Sequence, residues 1–133
     1  MRVFLDTNVL VSAFAARGLC ADLFELVLLE HEFVIGRQVL DELYKALTAK
    51  LKLSPAQAKA IVEYVSGEAA QVIGRTEPAR VRADPADARV LGEALAAKAV
   101  IFVTGDAALI GLRAIENTEI FSPRGFWEKL KKA

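Results

Sequence analysis

Four carboxylates stand out by type and place as groups that could do chemistry together: Asp6, Glu42, Asp87 and Asp106. Asp6 opens Asp-Thr-Asn-Val-Leu directly after the apolar Val3–Phe4–Leu5, and Asp106 closes Val-Thr-Gly-Asp directly after the apolar Ala99–Val103. Helix capping accounts for one polar residue at such a junction, because Asp, Thr and Asn all accept backbone N–H groups at a helix start. Asp6, Thr7 and Asn8 are more than one helix needs. Asp106 alone reads equally well as a turn aspartate. Asp87 lies four residues before Leu91 and seven before Ala94, on the helix face that should pack inward, where a carboxylate is costly unless paired or coordinated. The helix dipole favours first-turn carboxylates by about 0.3–1 kcal/mol, which accounts for Asp84 but not for the inward direction of Asp87. On a helical wheel Val39, Leu40, Leu43 and Leu47 form one buried stripe. Asp41 points away from that stripe, while Glu42 sits on its flank and can reach a cleft.

Carboxylates gathered together raise one another's pKa and resist ionisation unless a cation offsets them. The rest of the composition limits which cation. Cys20 is the only cysteine and His31 the only histidine, so disulfides, thiolate sites and multi-histidine zinc sites are excluded. His31, between Glu30 and Glu32, reads as a solvated turn residue. Hard oxygen ligands suit Mg²⁺ or Mn²⁺. Such an ion activates water and stabilises charge on a phosphoryl oxygen, so hydrolysis of a phosphate ester is the reaction these groups serve most naturally.

The elements that must position these groups alternate along the chain. Val3–Leu5, Phe33–Ile35, Ala99–Val103 and Glu119–Phe121 read as short strands. Helical spacing covers Asn8–Ala16, Asp22–Leu29 and Arg37–Lys50. Ser54–Pro55, Asp84–Pro85 and Ser122–Pro123 are cap-and-proline starts for helices, the first two running to about Ala70 and Lys98. Val72–Val81 is ambiguous between strand and loop. The alternation predicts an α/β fold, a three-layer α/β/α sandwich with a mostly parallel central sheet. In such sheets ligands bind beyond the carboxyl ends of the strands, where both Asp6 and Asp106 fall.

With 133 residues, of which 54% are hydrophobic, the chain suits one ordered domain spanning 1–133. Asp6 and Asn8 interrupt the apolar run that a signal peptide needs, and no run approaches the ~18 apolar residues of a membrane span. A cytoplasmic protein without membrane contact is therefore expected. Seventeen acidic and seventeen basic residues balance, so a nucleic acid would have to be held by a local patch. Arg17, Arg37, Lys45, Lys50 and Lys52 are the candidates, although each taken singly reads more readily as an ordinary surface cation.

Asp-Thr-Asn-Val-Leu-Val-Ser-Ala after the first strand, with Val-Thr-Gly-Asp after a late one, resembles the PIN-domain family. The resemblance spans nearly the whole chain and is closest to stand-alone VapC-type toxins and related toxin components with an Asp-Pro-x-Asp step, here Asp84–Asp87. It implies a metal-dependent endoribonuclease with Asp6, Glu42, Asp87 and Asp106 as its catalytic acids and Asp6, Asp87 and Asp106 as metal ligands. Thr104, Asn8 and Ser12 would support the carboxylates and the metal's water. The resemblance further implies Mg²⁺ or Mn²⁺, an RNA substrate, an antitoxin protein partner and a homodimer, with long helices such as Ser54–Ala70 as the contact. One departure is visible: Ala108 stands where many relatives carry Asp or Asn, which bears on a second metal position or on the water. Two other readings follow from the residues. Ala108 would suit a PIN scaffold that binds RNA or a partner without cutting. An aspartate-nucleophile phosphatase of the haloacid-dehalogenase kind would use Asp6, but wants an acid where this chain has Asn8.

Overall fold

The computed structural model describes residues 1–132. The first apolar run becomes β1 (Arg2–Leu5), and Asp6 then caps α1 (Thr7–Ala15). Next come α2 (Leu19–Glu30), β2 (Glu32–Gly36) and α3 (Arg37–Ala49), whose stripe of Val39, Leu40, Leu43 and Leu47 is buried as its spacing predicts. Ser54 and Gln57 form a reciprocal capping box, with Pro55 in the first turn, at the start of α4 (Pro55–Glu68). The ambiguous stretch resolves into a short strand, β3 (Gln71–Ile73), and a segment over 74–84 without regular structure. Asp84 accepts the backbone N–H of Ala86 and so caps α5 (Pro85–Ala96), the role its position favours. The chain closes with β4 (Ile101–Val103), the one-turn α6 (Ala107–Ile110), β5 (Ala114–Ile115), β6 (Thr118–Phe121) and α7 (Pro123–Lys132).

The strands form one sheet in the order β3-β2-β1-β4-β6-β5, with helices flanking it. Every pairing is parallel except that of β5 with β6. Val3, Phe4 and Leu5 of β1, Val34 and Ile35 of β2, and Phe102 and Val103 of β4 are fully buried, as continuous apolar runs in a covered parallel sheet must be. The Phe4 and Phe102 rings stack across neighbouring strands at 5.6 Å.

From β1 the chain moves to β2 on one side, and β4 later fills the other side, so β1 and β4 bracket the point where strand order reverses. Leu5 is in register with Val103, which brings the carboxyl ends of these two strands level. The Asp6 N–H donates to the Val103 carbonyl at 2.9 Å and ties the two exits together. Among the described residues no helix is long and apolar enough to cross a membrane.

His31 lies at the bend that ends α2, partly exposed as a turn residue should be, with its Nδ1 3.3 Å from the N-terminal ammonium and its ring near Phe126. The β5–β6 hairpin carries no signal in the sequence, because its turn at Glu116–Asn117 contains no glycine and Glu116 itself adopts φ 50°.

Candidate active site

Asp6 leaves β1 at the switch point with only 5% of its surface exposed. Its Oδ1 accepts the Thr7 N–H at 2.8 Å and its Oδ2 accepts the Thr104 hydroxyl at 2.8 Å. Thr104, fully buried after β4, also receives the Asp106 N–H at 3.0 Å on the same oxygen. One hydroxyl therefore links the acids of two strands, across a separation of 98 residues between Asp6 and Thr104. Asn8 strengthens the link, since its Oδ1 accepts the Gly105 N–H at 2.8 Å while its Nδ2 faces Asp6 Oδ2 and Thr104 Oγ1, both at 3.4 Å.

Glu42 reaches the same place from α3. Its Oε1 accepts the Thr7 hydroxyl at 2.7 Å and its Oε2 accepts the Gln38 side-chain amide at 2.9 Å. Gln38 and Glu42 are four residues apart and so share one helix face. Asp41, by contrast, pairs outside this cleft with Arg75 at 2.8 Å. Asp87 is half-buried in the first turn of α5 and turns into the cleft. Asp106 caps α6 with its Oδ1 on the Ala108 and Leu109 N–H groups, at 2.8 and 3.4 Å. Asp106 thus serves as a helix cap outside the lining of the cleft, near enough for its charge to bear on Asp87, and Ala108 contributes a backbone donor from an exposed position.

The cleft between α1 and α3 has a volume of about 590 Å³. Asp6, Glu42 and Asp87 lie in its wall with Thr7, Asn8 and Ser12, and Lys45 and Lys50 line it further along. Arg17 and Arg37 are exposed and do not line it, so of the candidate cations the structure brings Lys45 and Lys50 to the cleft. The residues that the sequence underweighted are Thr7 and Gln38, which hold Glu42; the four-residue step from Gln38 to Glu42 was the available signal.

Burial pushes the Asp6 carboxyl up to about 6, with the charges of Glu42 and Asp87 adding to it and the Thr104 and Thr7 hydrogen bonds opposing it. Asp87 is likewise raised, first by burial and then by the charges of Asp106, Asp84 and Glu42. Among the described residues none of Asp6, Glu42, Asp87 and Asp106 takes part in an ion pair. Nor do any three Asp, Glu, His or Cys side chains among them already surround a common point as metal ligands do. The acidic end of the cleft thus gathers carboxylates that no cation contacts directly, with Asp6 and Glu42 turned onto the chain's own hydroxyls and amides. The donor set is oxygen alone, which fits a hard divalent ion and not zinc.

The sequence matches the PIN-domain family over residues 2–108, and the chain belongs to that family. No curated protein sequence matches it significantly. Among solved structures its fold is similar to VapBC2 from Rickettsia felis bound to a DNA fragment from their promoter, with TM-score 0.68, 18% identity, and coverage of 92% of this chain and 98% of that one. It is also similar to VapBC-1 from nontypeable Haemophilus influenzae, with TM-score 0.64, 15% identity, and coverage of 93% and 99%. A third is FitAcB from Neisseria gonorrhoeae, with TM-score 0.60, 16% identity, and coverage of 92% and 98%.

Proposed function

We propose that this PIN-domain protein is a Mg²⁺- or Mn²⁺-dependent endoribonuclease, the toxin of a toxin–antitoxin pair. The observation that carries the nuclease reading is the meeting of Asp6, Glu42 and Asp87 in one cleft at the switch point, with two of them raised by burial and like charge and none ion-paired. Carboxylates so placed favour a cation over protons at neutral pH.

Asp6 and Asp87 would hold the ion from the cleft wall and Asp106 from beside it. Glu42, steadied by Thr7 and Gln38, is placed to accept a proton from a water in the cleft. A bound Mg²⁺ or Mn²⁺ would supply Lewis-acid stabilisation of phosphoryl charge and a more acidic water. Thr104 and Asn8 keep the Asp6 carboxylate aimed, and Lys45 and Lys50 offer phosphate contacts along the groove. The phosphatase alternative is disfavoured, because Asn8 stands in the acid's position and instead tethers Gly105.

The test is cleavage of RNA by purified protein with Mn²⁺, with and without EDTA, beside Asp6→Asn. Cleavage lost with EDTA and in the variant supports the reading; equal background from both proteins removes it and leaves the non-cutting scaffold. An antitoxin partner is inferred from the fold shared with the VapBC and FitAcB structures, and a short neighbouring reading frame would identify a candidate. A homodimer is also proposed, with α4, which exposes Tyr64, as its contact. Sedimentation giving only monomer at high concentration would count against it.

A further inference from the structure

Glu93 is the one buried carboxylate among the described residues that does not line the cleft. It sits on α5, six residues beyond Asp87, with 2% of its surface exposed. A carboxylate withdrawn from water is costly unless donors compensate it. Both of its oxygens face one donor, the backbone N–H of Gln38, at 3.0 and 3.1 Å. That N–H belongs to the first turn of α3, where helical N–H groups lack internal partners and the helix dipole favours negative charge. The residue capping α3 is Gly36, which has no side chain to do this, so Glu93 does it from the neighbouring helix. Gly36 also makes room: a Cβ there would stand 2.2 Å from Glu93 Oε1.

From Gln38 the contacts continue into the cleft. The Gln38 side chain donates to Glu42 Oε2 at 2.9 Å, Glu42 Oε1 accepts the Thr7 hydroxyl at 2.7 Å, and the Thr7 N–H donates to Asp6 Oδ1 at 2.8 Å. An unbroken line of hydrogen bonds therefore runs from α5 through α3 to α1. Asp87 rides on the same helix as Glu93, and Glu42 on the helix that Glu93 grips. We propose that Glu93 is a positioning residue, which sets the spacing of α5 and α3 and thereby holds Asp87 and Glu42 at the separation the cleft requires. An apolar side chain would fill the volume but leave the Gln38 N–H unpartnered. The catalytic part of this inference rests on the nuclease reading; the geometric part does not.

The experiment compares wild type with Glu93→Ala, Glu93→Gln and a control, Thr118→Ala, which removes another buried hydrogen bond, to the Ala99 carbonyl at 2.6 Å. Metal-free ¹⁵N-labelled proteins give amide exchange at Gln38 and the resonances of Thr7 and of the Gln38 side chain. In Glu93→Ala the Gln38 amide should exchange about tenfold faster or more, with both sets of resonances displaced. Mn²⁺ titrated alone by calorimetry should bind about fivefold more weakly, and RNA cleavage should lose about tenfold in kcat with KM nearly unchanged. Glu93→Gln keeps an acceptor oxygen and should restore Gln38 protection and most of kcat. Thr118→Ala should lower stability without moving these signals.

Resonances and exchange in Glu93→Ala identical to wild type would overturn the proposal, as would Thr118→Ala reproducing every change. Should Glu93→Ala not fold, Glu93→Asp withdraws the charge by one methylene and should expose the Gln38 amide; unchanged protection there would overturn it equally. If wild type neither binds Mn²⁺ nor cuts RNA, the nuclease reading fails, and the metal-free resonances still decide the role of Glu93.

Discussion

Asparagine at position 6 keeps the size of the Asp6 side chain and removes its charge, which separates the cost of burying that charge from the use made of it. The carboxyl is shifted from 3.8 to about 6, chiefly by burial. At about 1.4 kcal/mol per pKa unit, the ionised form costs the folded protein about 3 kcal/mol. Since the folded pKa is raised, the native state binds the extra proton between the two values. The penalty is therefore complete above pH 6, shrinks as pH falls from 6 towards 4, and vanishes below 3.8. In Asp6→Asn the new amide would keep the Thr7 bond but turn a donor towards Thr104, whose oxygen already receives other N–H groups, at a cost of about 1 kcal/mol. Asp6→Asn should thus stabilise the metal-free protein by about 2 kcal/mol at pH 8. For a chain of this length that corresponds to a Tm rise of roughly 7 °C. The advantage should disappear near pH 4. Saturating Mn²⁺ should reverse the order, since a ligand at about one hundred times its Kd stabilises by about 2.7 kcal/mol only the protein that binds it. Thermal and urea unfolding in EDTA at pH 8 and pH 4, then in Mn²⁺, measure this. If Asp6→Asn proved less stable than wild type at pH 8 in EDTA, the idea that the site holds an uncompensated buried charge would be refuted.

Three further outcomes are expected. Thr104→Val removes the donor to Asp6 and the acceptor for the Asp106 N–H, so urea unfolding should show a loss of about 1–3 kcal/mol. With the lowering bond gone, the upper end of the pH window of the Asp6 penalty should rise while its lower end stays near 3.8. Gly36→Ala should destabilise by about 1–3 kcal/mol, because its Cβ would meet Glu93 Oε1 at 2.2 Å; an unchanged denaturation midpoint would contradict the packing described. Replacing Lys45 and Lys50 by alanine should weaken RNA binding and flatten its salt dependence by about 0.7 for each phosphate no longer neutralised, measured by fluorescence anisotropy across a salt series. An unchanged slope would place the RNA elsewhere.

The sheet and most of the cleft were legible because parallel strands advertise themselves. Val3–Leu5 and Ile101–Val103 are apolar runs stopped by polar residues, and in a parallel sheet those stops lie on one edge. Asp87 and Glu42 were readable from helix geometry, since each breaks or flanks an apolar stripe. The same rule applied to Glu93, which stands between Leu91 and Ala94, but its partner is a backbone N–H 55 residues away, and no side-chain pattern announces such a donor. Thr7 and Asn8 resembled surplus caps; their actual partners, Glu42 and Gly105, belong to other elements. Cations gave the least. Arg17 and Arg37 differ from Lys45 and Lys50 only in which way the fold turns them, a tertiary property.

The reversal of strand order between β1 and β4 also fixes when the acidic centre can exist during synthesis. A nascent chain that ends before residue 101 already carries Asp6, Glu42 and Asp87, yet β1 then has no neighbour on its β4 side and Asp6 lacks the Thr104 hydroxyl. Pairing β1 with β4 joins residues about a hundred positions apart, a slow closure that comes after the local helices. The acidic cleft is thus assembled late, its first carboxylate left without its hydroxyl partner until the fourth strand has been made and has docked.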